Sequence, residues 1–171
     1  SYQVRRIVHW WRGDDLLGLN YQQFMAKVAF GSGGLDGLGL GNSRMKMAYL
    51  PEAHTDFIFP IIGEELGLVA GLAVLAAFCV IVVCGIVLVT QSPDLFSLLL
   101  GSGIVAVIGL QAIINMAMVS GILPVVGIPL PFVSYGGSNL VMTLAALGVL
   151  LNIARQAHAH ALESLVVPTA V

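Results

Sequence analysis

Residues Leu66 to Thr90 have the sequence LGLVAGLAVLAAFCVIVVCGIVLVT, an uninterrupted run of 25 residues without a charged side chain. The hydrocarbon core of a bilayer is about 30 Å thick, so a helix needs about 20 apolar residues to cross it. This stretch therefore predicts a transmembrane helix. The residues that follow, Gln91 to Asp94, include a proline and a carboxylate, which end the helix at a water-exposed surface.

Two further spans follow toward the C-terminus, Leu95 to about Gly121 and Asn139 to about Ile153. No Asp, Glu, Lys, Arg or His occurs in the 60 residues from 95 to 154. Between the two spans, residues 123–138 contain three prolines and three glycines, which exclude a regular helix. Irregular backbone at membrane depth must be buried in protein or line a wet cavity, so we expect a re-entrant loop there.

Composition assigns the whole chain to the same class. Of its 171 residues, 58% are hydrophobic and 9% are charged, whereas a soluble domain carries about 25% charged residues. The net charge of −2 does not bear on nucleic-acid binding, but the sequence has no basic run of the kind that follows a phosphate backbone. We therefore predict an all-α polytopic membrane protein with three transmembrane helices.

The first 59 residues differ from the rest, because they contain six of the seven Lys and Arg residues. We predict an amphipathic helix over Tyr21–Phe30 that lies along the membrane interface. Its apolar side is formed by Phe24, Met25 and Val28. Six glycines follow between residues 31 and 41 without the Gly-Lys-Ser/Thr ending of a phosphate-binding loop. They predict either a turn-rich loop or a backbone that packs closely on a ligand or on neighbouring helices.

Charge is concentrated in Tyr49–Phe59, YLPEAHTDFIF, just before the first span. Glu52, His54 and Asp56 fall within five residues, and a carboxylate at the edge of the lipid is costly without a partner or a task. Asp56 is a candidate N-cap for the apolar helix that follows, or a general base. The spacing of the three side chains also permits a metal site, although it matches no established ligand pattern.

Two further groups of polar residues stand out. Glu64 and Glu65 are expected in the first turn of the helix, where the helix dipole favours acids. In and next to the expected re-entrant loop, four side chains supply hydrogen-bonding groups: Ser134, Tyr135, Ser138 and Asn139. The loop either faces a substrate or only orients the two helices that it connects.

Long ordered motifs resemble one family. The residues that carry the resemblance are Gly41-Asn42-Ser43, Tyr49–Phe59, Gly63-Glu64-Glu65-Leu66-Gly67 and Gly121–Ser138 (GILPVVGIPLPFVSYGGS). Together they resemble the signatures of the SEDS family of cell-wall polymerases. The similarity extends from about Arg6 to Arg155, and the motifs look more like the division-type members than the elongation-type or sporulation-type members.

The resemblance implies a ten-helix protein of the bacterial inner membrane, a glycosyltransferase that polymerises lipid II into peptidoglycan strands during septal wall synthesis in cell division. Residues 1–59 would be the large extracytoplasmic loop after the seventh helix. Residues 60–171 would be the last three helices, with a re-entrant loop at 123–138 and a short cytoplasmic tail. The chain would then be the C-terminal part of one SEDS domain and inactive alone. The implied partners are lipid II (undecaprenyl-pyrophosphate disaccharide-pentapeptide), a class B penicillin-binding protein transpeptidase and other division proteins.

The resemblance also implies roles for individual residues. The essential aspartate of the family falls on Asp56, the predicted base. Because the pyrophosphate leaves without a proton, one base suffices, whereas a glycosidase needs two carboxyl groups. Arg44, Lys46 or a bound divalent cation, Mg²⁺ or Mn²⁺, would neutralise the leaving diphosphate. The other predicted substrate contacts are Glu52, His54, Thr55, Ser134, Tyr135 and Ser138.

Alternatives remain open: a flippase for lipid-linked precursors, an elongation-type polymerase of the same family, or a scaffold that docks a transpeptidase. A flippase needs polar groups at mid-membrane, where residues 95–154 offer no charge, and a scaffold has no need of Asp56. The Lys and Arg count opposes the implied orientation, because cytoplasmic loops usually carry these residues. We expect positive charge outside nevertheless, since the substrate is an anionic lipid pyrophosphate.

Overall fold

The computed structural model describes residues 7, 8, 10, 11, 21–43 and 55–166, with side chains as far as residue 159. This part of the chain is helical and contains no β-strand. Its long helices, in chain order, are α1 (Tyr21–Gly33), α2 (Ile58–Thr90), α3 (Leu95–Val119) and α4 (Gly137–Val166). The predicted all-α class is confirmed.

Three of these helices are long and apolar enough to cross a membrane, over Ile58–Thr90, Leu95–Val119 and Gly137–Ala159. They correspond to the three predicted spans. The third span is longer than predicted, because α4 begins at the glycine before Ser138 and continues past Ile153. The number and order of the spans are therefore confirmed by the structure.

Helix α2 is broken at Gly67, whose φ of 79° and ψ of −178° lie outside the helical region. The break releases backbone groups that would pair with each other in a continuous helix. Residues 33–39, called the glycine segment below, run against the break and pair with these groups. The hydrogen-bonded pairs, with the N–H donor first, are Leu38–Glu64 (2.9 Å), Gly39–Glu65 (2.9 Å) and Leu68–Gly34 (3.0 Å).

At two of its glycines, the glycine segment lies too close to α2 to accommodate a side chain. A Cβ atom at Gly33 would overlap the carbonyl oxygen of Gly63, and one at Gly37 would overlap the carbonyl oxygen of Glu65. Of the two predictions for this glycine-rich stretch, close packing on a neighbouring helix is therefore confirmed.

Glu64 and Glu65 do not lie in the first turn of the helix, and that prediction is wrong. Helix α2 begins at Ile58, so both residues follow in the second turn, and both are buried beneath the glycine segment. The carboxylate of Glu64 accepts hydrogen bonds from the hydroxyl groups of Ser43 and Ser32. These hydrogen bonds stabilise the Glu64 carboxylate, which has no access to solvent.

Helix α1 coincides with the predicted amphipathic helix and extends it to Gly33. Its buried side consists of small residues and one amide: Gln23, Ala26, Ala29 and Gly33. Phe24 and Val28 are exposed, whereas Met25 packs against a core cluster that joins α1 to α2 and α3. The position of this helix along a membrane interface stays a prediction.

The chain between α3 and α4, residues 120–136, is called the non-helical segment below. The expected absence of a regular helix is thus confirmed. Leu130 is fully buried and packs with Phe78 of α2 and Ala112 of α3. Phe132 has a positive φ of 63° at the centre of a tight turn in which Val133 N–H donates to Pro131 C=O at 2.8 Å. The helices therefore cover one side of this segment, at Val125, Leu130 and Pro131, whereas Ile122, Val126 and Tyr135 are exposed.

Candidate active site

Asp56 lies in the turn that precedes α2 and is partly buried. The hydroxyl of Thr55 donates to its Oδ1 at 3.1 Å. Phe57 occupies the N-cap position of α2 and makes no side-chain cap. Asp94 shows what a capping aspartate does in this protein, since its carboxylate accepts from Ser97 N–H at 2.9 Å at the start of α3. Helix capping is therefore not the role of Asp56.

The backbone of Asp56 is held by Asn115, which projects from α3. The amide nitrogen of Asn115 donates to the carbonyl of Asp56 at 2.8 Å and to the carbonyl of Ile128 at 2.7 Å. One fully buried side chain therefore joins the turn before α2 to the non-helical segment.

The non-helical segment also passes beside the carboxylate of Asp56. A Cβ atom at Gly127 would lie 3.7 Å from Asp56 Oδ2, and Gly127 itself is exposed with a φ of 76°. Farther along the segment, a cavity of about 360 Å³ is lined by Ile58 and by residues 132–137 and 140. The expectation that the segment folds against the Asp56 region is confirmed.

The three predicted substrate contacts in this part of the chain have different surroundings. Ser134 is buried, and its hydroxyl accepts from Leu130 N–H at 2.7 Å, so it shapes the turn. Tyr135 is 81% exposed at the cavity. Ser138 is exposed in the first turn of α4. The structure therefore brings Thr55 and Asp56 close to the non-helical segment, while the role of each side chain in substrate binding stays a prediction.

The remaining predicted site residues lie outside the described residues: Arg44, Lys46, Glu52 and His54. The proposed metal site included two of them with Asp56. Among the residues that the structure does describe, no three His, Cys, Asp or Glu side chains form a group that could hold a metal ion. A divalent cation thus stays an untested alternative for neutralising the diphosphate.

Sequence reasoning missed the amides that hold the non-helical segment. Gln111 donates to the carbonyl of Pro129 at 3.1 Å, one turn before Asn115 on the same side of α3. Gln23 of α1 donates to the carbonyls of Met118 and Leu123. A signal was available, because two amides four residues apart in a span without charge lie on one helix face and need partners.

Comparison with known proteins identifies the family of the chain. The profile of a family described as cell cycle protein, which covers FtsW, RodA and SpoVE, matches residues 1–159. Stage V sporulation protein E of Bacillus subtilis is 46% identical over 157 residues, which is 90% of this chain and 42% of that protein. A "Probable peptidoglycan glycosyltransferase FtsW" from Geobacter metallireducens is 44% identical over 156 residues, with 90% and 41% covered. A protein of the same name from Coxiella burnetii is 48% identical over 141 residues, with 80% and 38% covered.

The chain thus spans about two fifths of the length of these curated relatives. A solved structure, reported as "Structural coordination of polymerization and crosslinking by a peptidoglycan synthase complex", contains a chain with the same fold. The TM-score is 0.70 and the identity is 28%, over 92% of this chain and 43% of that one. With a family profile that matches nearly its whole length, the chain belongs to the FtsW, RodA and SpoVE family of cell cycle proteins.

Proposed function

We propose that this chain supplies the general base and one wall of the active site of a glycosyltransferase that polymerises lipid II. The hydroxyl of one sugar attacks the anomeric carbon of a second sugar, a glycosidic C–O bond forms, and the bond from that carbon to the pyrophosphate breaks. Asp56 accepts the hydroxyl proton as the nucleophile attacks. The pyrophosphate departs with the electron pair as a stabilised anion and needs no acid.

The observation that carries this proposal is the position of the Asp56 carboxylate. It is partly buried, does not cap α2, and lies beside exposed backbone at Gly127. Bare backbone beside a carboxylate leaves room for a sugar hydroxyl to approach within hydrogen-bonding distance, which general-base catalysis requires. A carboxylate with a purely structural role has no need of such a space.

The substrate contacts follow from the same arrangement and are proposed here. Thr55 orients the carboxylate, and Ser134, Tyr135 and Ser138 line the approach along the non-helical segment, where Tyr135 presents an exposed ring to the sugars. The other proposed contacts are Arg44, Lys46, Glu52 and His54. The two basic residues would balance the charge that develops on the leaving diphosphate.

The biological role proposed is septal wall synthesis in cell division, in a multi-pass protein of the bacterial inner membrane. It is supported by the relatives named FtsW, although the sporulation protein SpoVE matches at a similar identity. A class B penicillin-binding protein is the proposed partner, since the solved structure with the same fold is a peptidoglycan synthase complex of polymerization and crosslinking. Other division proteins would join the assembly.

The test is polymerisation of lipid II by the complete purified protein together with its transpeptidase. Asp56→Asn keeps the shape and the backbone bond to Asn115 but cannot accept a proton, so we expect turnover to fall on the order of 10² to 10⁴-fold. Asp36→Asn, in the exposed loop after α1, is the matched control and should polymerise normally. Normal polymer from Asp56→Asn would remove the base assignment. A wild-type protein that moves lipid II across the bilayer without polymerising it would favour the flippase instead.

The proposed sidedness places the glycine segment outside the cell and the α2–α3 turn in the cytoplasm. Asn42 and Gln91 are exposed on these two sides. In a variant whose native Cys79 and Cys84 are replaced by alanine, Asn42→Cys should react with an impermeant maleimide added to intact cells, and Gln91→Cys should not. The reverse pattern would place residues 1–59 in the cytoplasm, as the Lys and Arg count suggests.

A further inference from the structure

Asn115 holds two elements that are distant in the sequence, the turn of Asp56 and the middle of the non-helical segment. Both of its hydrogen bonds come from the amide nitrogen, at 2.8 Å to the Asp56 carbonyl and 2.7 Å to the Ile128 carbonyl. The side chain is 0% exposed, and its Oδ1 makes no hydrogen bond to any of the residues that the structure describes. A buried acceptor without a partner is unfavourable, so its presence calls for an explanation beyond packing.

The neighbouring amide shows what a purely structural tie looks like. Gln111, one turn earlier on α3, donates to the carbonyl of Pro129 and to the side chain of Asn139 at 3.2 Å. It therefore connects the non-helical segment to α3 and α4 without contacting the turn of Asp56. Asn115 adds a second connection, which differs from that of Gln111 because it also holds the turn of Asp56.

The geometry around Asn115 connects it to the reacting groups. Ile128, whose carbonyl it holds, directly follows Gly127, and Gly127 faces Asp56 Oδ2. The two carbonyls bound by one amide thus belong to the two elements that border the same space. A shift of either element changes the distance between the carboxylate and the exposed backbone opposite it.

We propose that Asn115 is a positioning residue, which sets the spacing between the Asp56 carboxylate and the backbone at Gly127 and so aligns the acceptor hydroxyl with the base. This inference rests on the proposed function. Asn115 touches neither substrate nor reacting atoms and acts through the carbonyls of Asp56 and Ile128. Its effect belongs to the chemical step, because contacts elsewhere in the site determine how tightly the substrate binds.

The experiment measures kcat and KM for lipid II with the complete protein and its transpeptidase. Asn115→Leu removes both donors at similar volume. We expect kcat to fall about 100-fold, as for a displacement of about 1 Å at the base, while KM changes by less than about threefold. Gln22→Leu in α1 is the control, since it is the same kind of change at a half-buried amide that makes no hydrogen bond within the described residues, and its kcat should stay within about threefold of wild type. Gel filtration and thermal unfolding report whether each variant is folded.

A second variant covers the case in which the leucine is not tolerated. Asn115→Asp has nearly the same shape but offers at most one proton to two carbonyls, so it should show the same loss of kcat. The proposal is overturned if a folded Asn115 variant retains its kcat, if Gln22→Leu loses kcat to the same extent, or if both Asn115 variants unfold. An active Asp56→Asn protein in the same assay would instead overturn the proposed function, so the two failures are distinguishable.

Discussion

The molecule contains two interruptions of regular helix among apolar residues, and it satisfies their backbone polar groups in different ways. At the break in α2, the partners come from the backbone of the glycine segment. In the non-helical segment between α3 and α4, side-chain amides on neighbouring helices hold the carbonyls of Leu123, Ile128 and Pro129. Both solutions supply partners to backbone groups outside regular helix, a requirement that is most severe in a membrane.

The way in which the backbone is paired determines how much space remains beside it, and therefore which function each region can serve. Backbone that pairs with backbone leaves no free space, because any side chain at Gly33 would overlap α2. Backbone that is held by amides from one side keeps its other side open, and Val126 and Gly127 are exposed next to Asp56. The first arrangement suits a rigid support, and the second suits the wall of a site.

The largest expected effect tests the close packing of the glycine segment on α2. Gly33→Ala places a methyl group where the carbonyl oxygen of Gly63 lies, and since both groups are parts of backbones, no rotamer change relieves the overlap. We expect a loss of about 3 kcal/mol in the free energy of unfolding, at the upper end for overpacking. Thermal unfolding of the purified complete protein measures it.

Gly31→Ala is the control for Gly33→Ala, since it lies in the same helix and a Cβ atom there meets nothing within 4 Å. It should stabilise the protein by about 0.5–1 kcal/mol, the usual gain from replacing glycine inside a helix. If Gly33→Ala is as stable as Gly31→Ala, the glycine segment does not pack on α2, and the contrast between the two regions disappears.

A smaller effect tests how the amides hold the second region. Gln23 is buried and donates to the carbonyls of Met118 and Leu123, where α3 ends and the non-helical segment begins. Gln23→Leu leaves both carbonyls without this donor and should lower the free energy of unfolding by about 2 kcal/mol. Chemical denaturation in detergent would measure the change.

The neighbouring Gln22 provides the comparison for Gln23→Leu. It is half-buried, and the described part of the chain gives its side chain no hydrogen bond, so Gln22→Leu should change the stability by no more than about 0.5 kcal/mol. Equal losses from the two leucine variants would show that the hydrophobic change, and not the released carbonyls, destabilises the protein.

The sequence predicts the two regions unequally well. Long apolar runs specify the three spans, and the prolines of residues 123–138 specify a segment that no helix can include. The break at Gly67 was not predicted, because a single glycine in an apolar run is compatible with a helix and the break depends on a segment 30 residues earlier in the chain. For the same reason, the sequence predicts Glu64 and Glu65 in the first turn of a helix, whereas in the structure the glycine segment covers both residues.

The candidate site shows the same limit. The chemistry of Asp56 is visible in its charge, but local sequence could not decide between a cap and a base. The structure argues against the cap, because Phe57 takes the N-cap position of α2, while the base stays a proposal. Gln111 and Asn115 of α3 can be recognised in the sequence as polar residues in a span without charged side chains. The sequence does not show which carbonyls they bind.

The smallest expected effect on stability gives the most specific test of the open side of the non-helical segment. Gly127 and Gly41 have similar positive φ values of 76° and 81°, so alanine at either position should cost about 1–2 kcal/mol of backbone strain. At Gly127 the new methyl group lies near the proposed base, 3.7 Å from Asp56 Oδ2, whereas at Gly41 it meets no described residue within 4 Å. Gly127→Ala should therefore reduce lipid II polymerisation about tenfold, while Gly41→Ala, with the same loss of stability, should not, because the methyl group occupies space that the acceptor hydroxyl needs. Initial rates of polymerisation, corrected for the folded fraction of each variant, decide the matter. Equal rates for the two variants would mean that the exposed backbone at Gly127 is not a wall of the active site. The non-helical segment would then be a structural support, as the glycine segment is.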